Sequence, residues 1–235
     1  MKQNNSNNIV DKKEKYAISW NKDAMKMNSN ELYSWMSSHI KNYKNILEIG
    51  CGSGISTLNL LKTGHNVIIV EFNEIFIDMT KKLLNDNKYY DINIIKYQIS
   101  ESNCINIGNI IKNKIDLIIC WNPGGVASLT NEEILCKMIE LEKLEYPSAN
   151  ILNDFESHYA EDLIRSALSL AKNLNVDAHI IDRYKSTENT TNFLEELKNT
   201  YEFREVITDE ISSYANENTM KTNETIIFKS FLFKR

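Results

Sequence analysis

An apolar run that ends at three alternating glycines is the feature that most restricts the fold of this chain. The stretch reads NILEIGCGSGIS at residues 45–56, with Gly50, Gly52 and Gly54 following the apolar residues. The run predicts a buried strand, and residues 54–63 predict a helix, so the glycines form the turn between them. A bare backbone is needed where a ligand lies against the chain or where φ is positive. The turn therefore indicates a ligand site at the end of a strand.

Strands and helices alternate along the rest of the chain. Helical spacing of apolar residues predicts a helix after most of the strands. Short apolar or β-rich runs predict strands at 45–50, 66–71, 93–100, 114–121, 176–182, 202–208 and 225–234. This alternation favours an α/β fold with a doubly wound, mostly parallel, seven-stranded sheet. No helix is predicted between the last two runs, so we expect them to pair antiparallel and to give the sheet an antiparallel edge strand.

The length of 235 residues suits one domain with small accessory segments. Polar residues 1–13 predict a disordered tail. Residues 14–43 predict an N-terminal helical cap, and residues 44–235 form the predicted α/β domain. Within that domain, we expect the segment around 126–156 to be an insertion that forms a lid over the substrate.

Composition disfavours several classes of protein. A net charge of −5 argues against strong nucleic-acid binding, which needs several cations on one face. The four cysteines form no CxxC pair, so no metal site is predicted. The first residues lack the apolar core of a secretion signal, and no apolar run approaches the ~18 residues of a membrane span. We therefore expect a cytoplasmic protein that does not enter membranes.

An acidic residue follows the glycines at an informative distance. Glu71 ends the second predicted strand, about 21 residues after Gly50. In dinucleotide-binding folds, an acid at this place binds the ribose hydroxyls. The spacing indicates an adenosine-type ligand at the carboxyl ends of parallel strands. A tight turn without a ligand, followed by a solvated carboxylate, is the alternative.

The spacing of the glycines and the position of Glu48 distinguish between such ligands. The nicotinamide fingerprint has its third glycine one residue later than Gly54. Glu48, two residues before Gly50, would repel a pyrophosphate but suits a ligand that carries a sulfonium and an ammonium. This E-x-G-x-G-x-G pattern resembles motif I of the class I S-adenosylmethionine-dependent methyltransferases. A nicotinamide-dependent oxidoreductase is accordingly disfavoured.

The resemblance to this superfamily covers roughly residues 44–235 and implies a Rossmann-like methyltransferase with S-adenosyl-L-methionine as cofactor. It implies that Glu71 holds both ribose hydroxyls, that Phe72 packs on the adenine, and that the residues after the third strand lie near the adenine amine. The full set of implied cofactor contacts is Glu48, Gly50, Cys51, Gly52, Glu71, Phe72, Ser100 and Glu101.

The loop after the fourth predicted strand, CWNPGG, resembles the Asn-Pro-Pro-aromatic loop of methyltransferases that act on amide or base nitrogens. The resemblance implies that Asn122 and the Pro123 carbonyl accept hydrogen bonds from the target amine. Pro123 also predicts an extended backbone at Asn122. Gly124 and Gly125 replace the second proline and the aromatic residue. These departures disfavour methylation of a flipped base and favour a small-molecule or peptide acceptor.

Other residues complete the predicted substrate site. Tyr16, Trp20, Trp121, Pro123 and Tyr159 are candidate substrate contacts, with ordinary core packing as their alternative. His158 is a candidate general base beside Asn122, with a surface histidine as the alternative. Because no unmistakable base is present, nitrogen is favoured over oxygen as the methyl acceptor. An RNA, DNA or protein N-methyltransferase that uses the Asn-Pro loop, and a cofactor-binding protein without catalysis, remain as alternatives, and the oligomeric state is open.

Overall fold

The computed structural model describes residues 2–123, 151–184, 191–214 and 217–235, with side chains from residue 13 in the first range, 159 in the second and 220 in the last. The helices described are α1 Lys2–Ser29, α2 Leu32–Ser38, α3 Ile55–Lys62, α4 Glu74–Asp86, α5 Ile105–Ile110, α6 Ile151–Leu174, α7 Thr191–Thr200 and α8 Glu217–Thr222. The strands are β1 Asn45–Ile49, β2 Asn66–Glu71, β3 Asn93–Lys96, β4 Leu117–Trp121, β5 Asp177–Tyr184, β6 Glu205–Ser213 and β7 Ile226–Lys234.

The strands form one mixed sheet in the order β3-β2-β1-β4-β5-β7-β6. Neighbouring strands from β3 to β5 pair parallel, whereas β7 pairs antiparallel with both β5 and β6. The predicted α/β fold with a mostly parallel seven-stranded sheet is confirmed. The last two strands pair antiparallel at one edge, with the reversed strand β7 one position inside β6.

Helices cover both faces of the sheet, and each face has its own apolar core. Leu47 and Ile49 of β1 face a core built with α5, α6 and α7. Ile46 faces the opposite core, which includes residues of α1, α2 and α3. Successive residues of a strand point to opposite faces, so a strand buried on both sides is apolar throughout. All five residues of β4 are buried. This strand is the fourth of seven in the sheet, so its carboxyl end lies at the centre of one sheet edge.

The cap predicted for residues 14–43 consists of the later turns of α1 and of α2. Ala17, Ala24 and Met27 of α1 are buried, so this helix lies on the domain. The backbone of α1 is helical from Lys2, in the polar segment for which a tail is predicted. This segment has no proline or glycine to interrupt the backbone hydrogen bonds of a helix. Most of the predicted lid, 126–150, lies outside the described residues, and residues 151–156 begin α6.

The third strand is shorter than predicted because the chain leaves the sheet after Lys96. The backbone N–H of Tyr97 still donates to Glu71 O, at 3.1 Å. Asn103 then holds the turn, since its side chain accepts from Ser100 N at 2.8 Å and donates to Gln98 O at 3.1 Å. Residues 97–99 are thereby turned over the end of β2. Among the described helices, none is long and apolar enough to cross a membrane.

Candidate cofactor and active site

The glycine turn lies at the carboxyl end of β1, directly before α3. Gly50, Gly52 and Gly54 have φ angles of 76°, 52° and 84°, in the left-handed region that glycine adopts without strain. The turn is held by hydrogen bonds from Gly50 N to Val70 O and from Gly54 N to Cys51 O. A Cβ on Gly54 would lie 2.8 Å from Thr80 Oγ1, so this glycine allows α3 to pack close to α4. A Cβ on Gly50 would meet nothing within 4 Å, which leaves open space above its backbone.

Glu71 lies beside this turn, at the end of β2, and is buried. Its Oε1 atom accepts hydrogen bonds from the backbone N–H groups of Phe72 and Asn73, both at 2.9 Å. Burial raises the pKa of the Glu71 carboxyl, and these N–H groups together with that of Gly52 oppose the rise. The carboxylate is thus fixed in orientation and still has acceptor positions for two hydroxyl donors.

A crevice lies over the carboxyl ends of the central strands and brings together most of the predicted site residues. The predicted residues that line it are Tyr16, Trp20, Gly50, Gly52, Glu71, Phe72, Asn122 and Tyr159. They come from α1, the glycine turn, the end of β2, the end of β4 and α6. The crevice therefore lies where ligands bind in open parallel sheets.

Several residues that line this crevice are missing from the sequence prediction. Tyr97, Gln98 and Ile99 line it, whereas Ser100 and Glu101 line a neighbouring cavity. Glu101 accepts a hydrogen bond from the Tyr201 hydroxyl. The difference arises because β3 ends at Lys96 rather than at residue 100. Ile49, Val70, Phe76 and Leu163 complete the lining, and their apolar character alone could not distinguish them from core residues.

Glu48 does not line the crevice. It is buried, and its two carboxylate oxygens accept hydrogen bonds from Ser56 Oγ and Thr57 Oγ1, each at 2.5 Å. Burial raises its pKa to about 7, and the two hydroxyls limit the rise. Cys51 is also turned away, with its Sγ 3.3 Å from Thr80 Oγ1, and burial raises its pKa. Both side chains therefore hold the turn and its helices together.

Asn122 occupies the end of β4 and lines the crevice with 4% of its surface exposed. Its backbone N–H donates to Ile181 O at 2.7 Å, and its Nδ2 lies 3.9 Å from Met27 Sδ. Its Oδ1 is buried and has no hydrogen-bond partner among the residues that the structure describes. The φ angle is 50°, so the prediction of an extended backbone was wrong. Asparagine tolerates the left-handed region, and such conformations are common at functional sites.

The residues on either side of Asn122 do not line the crevice. Trp121 is buried and donates its Nε1–H to His179 Nδ1 at 3.1 Å, while His179 Nε2 lies 2.8 Å from Ser230 Oγ. Pro123 is buried as well. These contacts fix the end of β4 from the side of the core. They do not place either residue against a substrate.

Aromatic residues of α1 form one wall of the crevice. The rings of Tyr16 and Phe76 meet edge to face with centroids 5.9 Å apart, and Tyr16 also lies 6.4 Å from Trp20. A Cβ on Gly52 would collide with Trp20 Nε1. Tyr159 of α6 contributes to the opposite wall, and the side chain of its neighbour His158 lies outside the described residues.

Comparisons with known proteins agree with this geometry. Residues 46–141 match the family model described as a methyltransferase domain. Magnesium protoporphyrin IX methyltransferase from Synechocystis PCC 6803, solved with bound SAM, has a TM-score of 0.52 at 11% identity, over 90% of this chain and 80% of that chain. A Thermoplasma acidophilum protein has a TM-score of 0.52 at 13% identity, over 92% and 96%. No curated protein matches the sequence.

An O-methyltransferase family protein from Burkholderia thailandensis also has a TM-score of 0.52, at 11% identity over 91% of this chain and 58% of that chain. At these identities the likenesses show the fold, which is that of Rossmann-like methyltransferases. Together with the family match, the fold and the glycine turn define a methyltransferase. The match over residues 46–141 and the fold of the chain identify a Rossmann-like methyltransferase that uses S-adenosylmethionine as its cofactor. The predicted superfamily, enzyme class and cofactor are confirmed.

Proposed function

We propose that this methyltransferase acts on a nitrogen atom of a small-molecule or peptide acceptor and that Asn122 positions this nitrogen. The observation that carries the proposal is that Asn122 lines the crevice while its buried Oδ1 has no hydrogen-bond partner in the described part of the chain. A buried acceptor left unpaired costs about 1–3 kcal/mol. A donor N–H of the bound acceptor would remove this cost.

The residues of the crevice fit the cofactor. Glu71, with its carboxylate oriented by backbone N–H groups, would accept hydrogen bonds from the ribose hydroxyls. Phe72 on one side, and Gln98 with Ile99 on the other, would hold the adenine. Gly50 leaves open space for close approach of the ligand to the backbone. The bound cofactor supplies an electrophilic methyl group on a positively charged sulfur.

Asn122 is held well enough to orient an acceptor. Its backbone is tied to β5 through Ile181 O, and its Nδ2 donates to Met27 Sδ, so Oδ1 is the side-chain atom left to accept a hydrogen bond from a ligand. When Oδ1 accepts one N–H of an amine or amide, it fixes the direction of the nitrogen lone pair. Such alignment of nucleophile, methyl carbon and sulfur is the main requirement of a direct displacement. A neutral nitrogen needs no strong base, and its surplus proton leaves to water after transfer.

The walls of the crevice support an acceptor that is small or slender. Tyr16 and Trp20 of α1 line it, as do Tyr159 and Leu163 of α6, so bulky apolar side chains share the crevice with Asn122. The net charge of −5 gives no support to extensive contacts with a phosphate backbone. His158, directly before Tyr159, stays a candidate general base, and Trp121 and Pro123 stay candidate substrate residues.

Transfer of a labelled methyl group tests the proposal. The protein is incubated with ¹³C-methyl S-adenosylmethionine and fractions of a cell extract, and the products are examined by NMR. We expect labelled N-methyl carbons in the small-molecule or peptide fraction. Asn122→Gly removes the amide but accepts the positive φ, so it should lower turnover by about tenfold to a thousandfold and leave cofactor affinity nearly unchanged. Labelled O-methyl products, label in RNA or protein, or full activity of Asn122→Gly would contradict the proposal.

A further inference from the structure

The indole of Trp20 occupies the space directly beside the glycine turn. Besides the collision with Nε1, a Cβ built on Gly52 would lie 3.0 Å from Trp20 Cδ1. Gly52 has a positive φ and its backbone faces the crevice. The bare backbone that would accommodate a ligand is therefore covered by a side chain of α1.

Arg183 also contacts this indole. It belongs to the carboxyl end of β5, two residues after Ile181 and on the same face of the sheet. Its guanidinium carbon is 5.6 Å from the centroid of the Trp20 ring, a cation–π contact. The residue is half-buried, and within the described part of the chain no carboxylate pairs with its guanidinium. A partly desolvated guanidinium favours an anion as its partner, because burial of an unpaired charge is unfavourable.

Arg183 lies on the side of the sheet opposite to the adenosine end of the crevice. Glu71 and Phe72 lie at the end of β2, and Gln98 follows β3, so the adenosine end is on that side of the sheet. Arg183 lies near the carboxyl end of β5, on the far side of β1 and β4.

A guanidinium is well suited to one kind of ligand group. Its planar fork of N–H donors matches a carboxylate with two parallel hydrogen bonds. The part of the cofactor that extends away from its adenosine is an amino acid with a free α-carboxylate. The turn at Gly52 lies between the adenosine end and Arg183.

We propose that Arg183 binds the α-carboxylate of the cofactor and that Trp20 covers Gly52 until the amino-acid part of the cofactor displaces it. Before the cofactor binds, the contact with Trp20 keeps the guanidinium of Arg183 near the position in which it would bind the carboxylate. The inference rests on the identity of the cofactor and does not depend on which atom receives the methyl group.

A matched pair of ligands tests the role of Arg183. Decarboxylated S-adenosylmethionine keeps the adenosine, the sulfonium and the ammonium and lacks only the carboxylate. We expect calorimetry on the whole chain to show that S-adenosylmethionine binds at least about tenfold more tightly than this analogue. Arg183→Gln should abolish the difference by weakening only S-adenosylmethionine, and Arg183→Lys should restore part of it, because a lysine keeps the charge without the fork.

Lys229→Gln is the matched control. Lys229 of β7 lies 5.4 Å over the ring of Tyr184, and its removal changes the net charge equally without touching the Trp20 stack. The preference for the carboxylate should be unchanged in this variant. An unchanged preference in Arg183→Gln, or an equal loss in Lys229→Gln, would overturn the assignment of Arg183.

Trp20→Ala tests the second half of the proposal through the sign of its effect. Removal of a competing side chain should raise the affinity for both ligands severalfold and should leave their ratio unchanged. Removal of an ordinary wall of the pocket would instead lower both affinities and overturn the role given to Trp20. The far-ultraviolet circular dichroism and thermal midpoint of each variant verify that it is folded.

Discussion

The Glu48 carboxylate and the Ser56 hydroxyl lie 2.5 Å apart in the interior, behind the glycine turn. The second oxygen of Glu48 makes an equal contact with Thr57. Both hydroxyl residues belong to the first turn of α3, whereas Glu48 belongs to β1. The acidic residue of the glycine motif therefore connects strand and helix and sets the shape of the turn between them.

Because Glu48 is buried, its ionisation should make the stability of the folded protein depend on pH. The folded-state pKa of about 7 lies above the ordinary value of 4.5, so the native protein keeps this proton to higher pH than the unfolded chain. The contribution of Glu48 is fully present below pH 4.5 and is lost as pH rises through 7. Glu48→Gln should remove this dependence. The difference between the free energies of unfolding of the two proteins should therefore change by about 3 kcal/mol over this pH range. Urea unfolding of both proteins from pH 4.5 to 8 measures it, and parallel pH profiles would contradict it.

His179 should act in the opposite direction. Burial, with a smaller effect from His39, lowers its pKa from 6.5 to about 3, so the unfolded chain takes up this proton first. Its contribution is fully present above pH 6.5 and is lost as pH falls through 3. His179→Gln can still accept from Trp121 and donate to Ser230. On acidification below pH 6, the free energy of unfolding should therefore fall more steeply in the wild type than in the variant. The difference between the two slopes should be about 1.4 kcal/mol per pH unit.

The partners of His39 provide the control for that experiment. His39 lies 5.6 Å from His179 by ring centroid and 2.9 Å from Asp209 Oδ2. Asp209→Asn replaces the carboxylate that contacts His39 without altering the buried contacts of His179. It should leave most of the acid dependence in place. If Asp209→Asn abolishes the dependence as fully as His179→Gln does, the titrating group is not His179.

Glu71→Gln should weaken binding of S-adenosylmethionine by about 1–3 kcal/mol, because an ionised carboxylate accepts both ribose hydroxyls and an amide accepts with one oxygen only. Since burial raises the pKa of Glu71, the affinity of the wild-type protein should begin to fall on acidification above the usual range of a glutamate. Calorimetric titrations at several pH values measure both effects. The variant should show a flatter profile, and equal profiles would remove Glu71 from ribose binding.

Gly54→Ala should destabilise the protein more than Gly64→Ala does. Both glycines have positive φ, at 84° and 93°, so both substitutions carry the same backbone strain. A Cβ on Gly54 would lie 2.8 Å from Thr80 Oγ1 and 3.0 Å from its Cα, whereas one on Gly64 would meet nothing within 4 Å. The difference between their free energies of unfolding should be about 1–3 kcal/mol, typical of overpacking. Equal destabilisation would mean that α3 and α4 can separate without cost.

Much of the fold could be predicted from the sequence because its signals are local. The apolar runs gave strands at 45–50 and 66–71 that agree with β1 and β2 within a residue. The short helix α5 and the helix α8 are absent from the prediction, since neither has a full amphipathic period. The early end of β3 depends on the side chain of Asn103, a tertiary detail that hydrophobic pattern does not contain.

The sequence predicts the position of a site residue only where the spacing of glycines and strand ends along the backbone determines it. The cofactor contacts proposed for Gly50, Gly52 and Glu71 follow from spacing, and the three residues line one crevice. Glu48 fits the same motif, yet its carboxylate is taken by hydroxyls of α3. Arg183 is about 130 residues from the glycine turn, and only the position of β5 beside β4 brings it near Trp20. Such long-range pairings are set by topology and not by any local pattern.

The reversed strand β7 also determines the order in which the sheet can be completed during synthesis. Within the described sheet, β6 pairs with β7 and with no other strand, and every residue from Glu205 to Ser213 takes part. The ribosome makes β6 first, but β6 has no partner until β7 has been translated and has paired with β5. This edge therefore assembles in the reverse of its order of translation. A chain that is cut short before residue 226 therefore loses the hydrogen-bond partner in the sheet for all nine residues of β6, so a loss of β7 removes two strands from the sheet and not one.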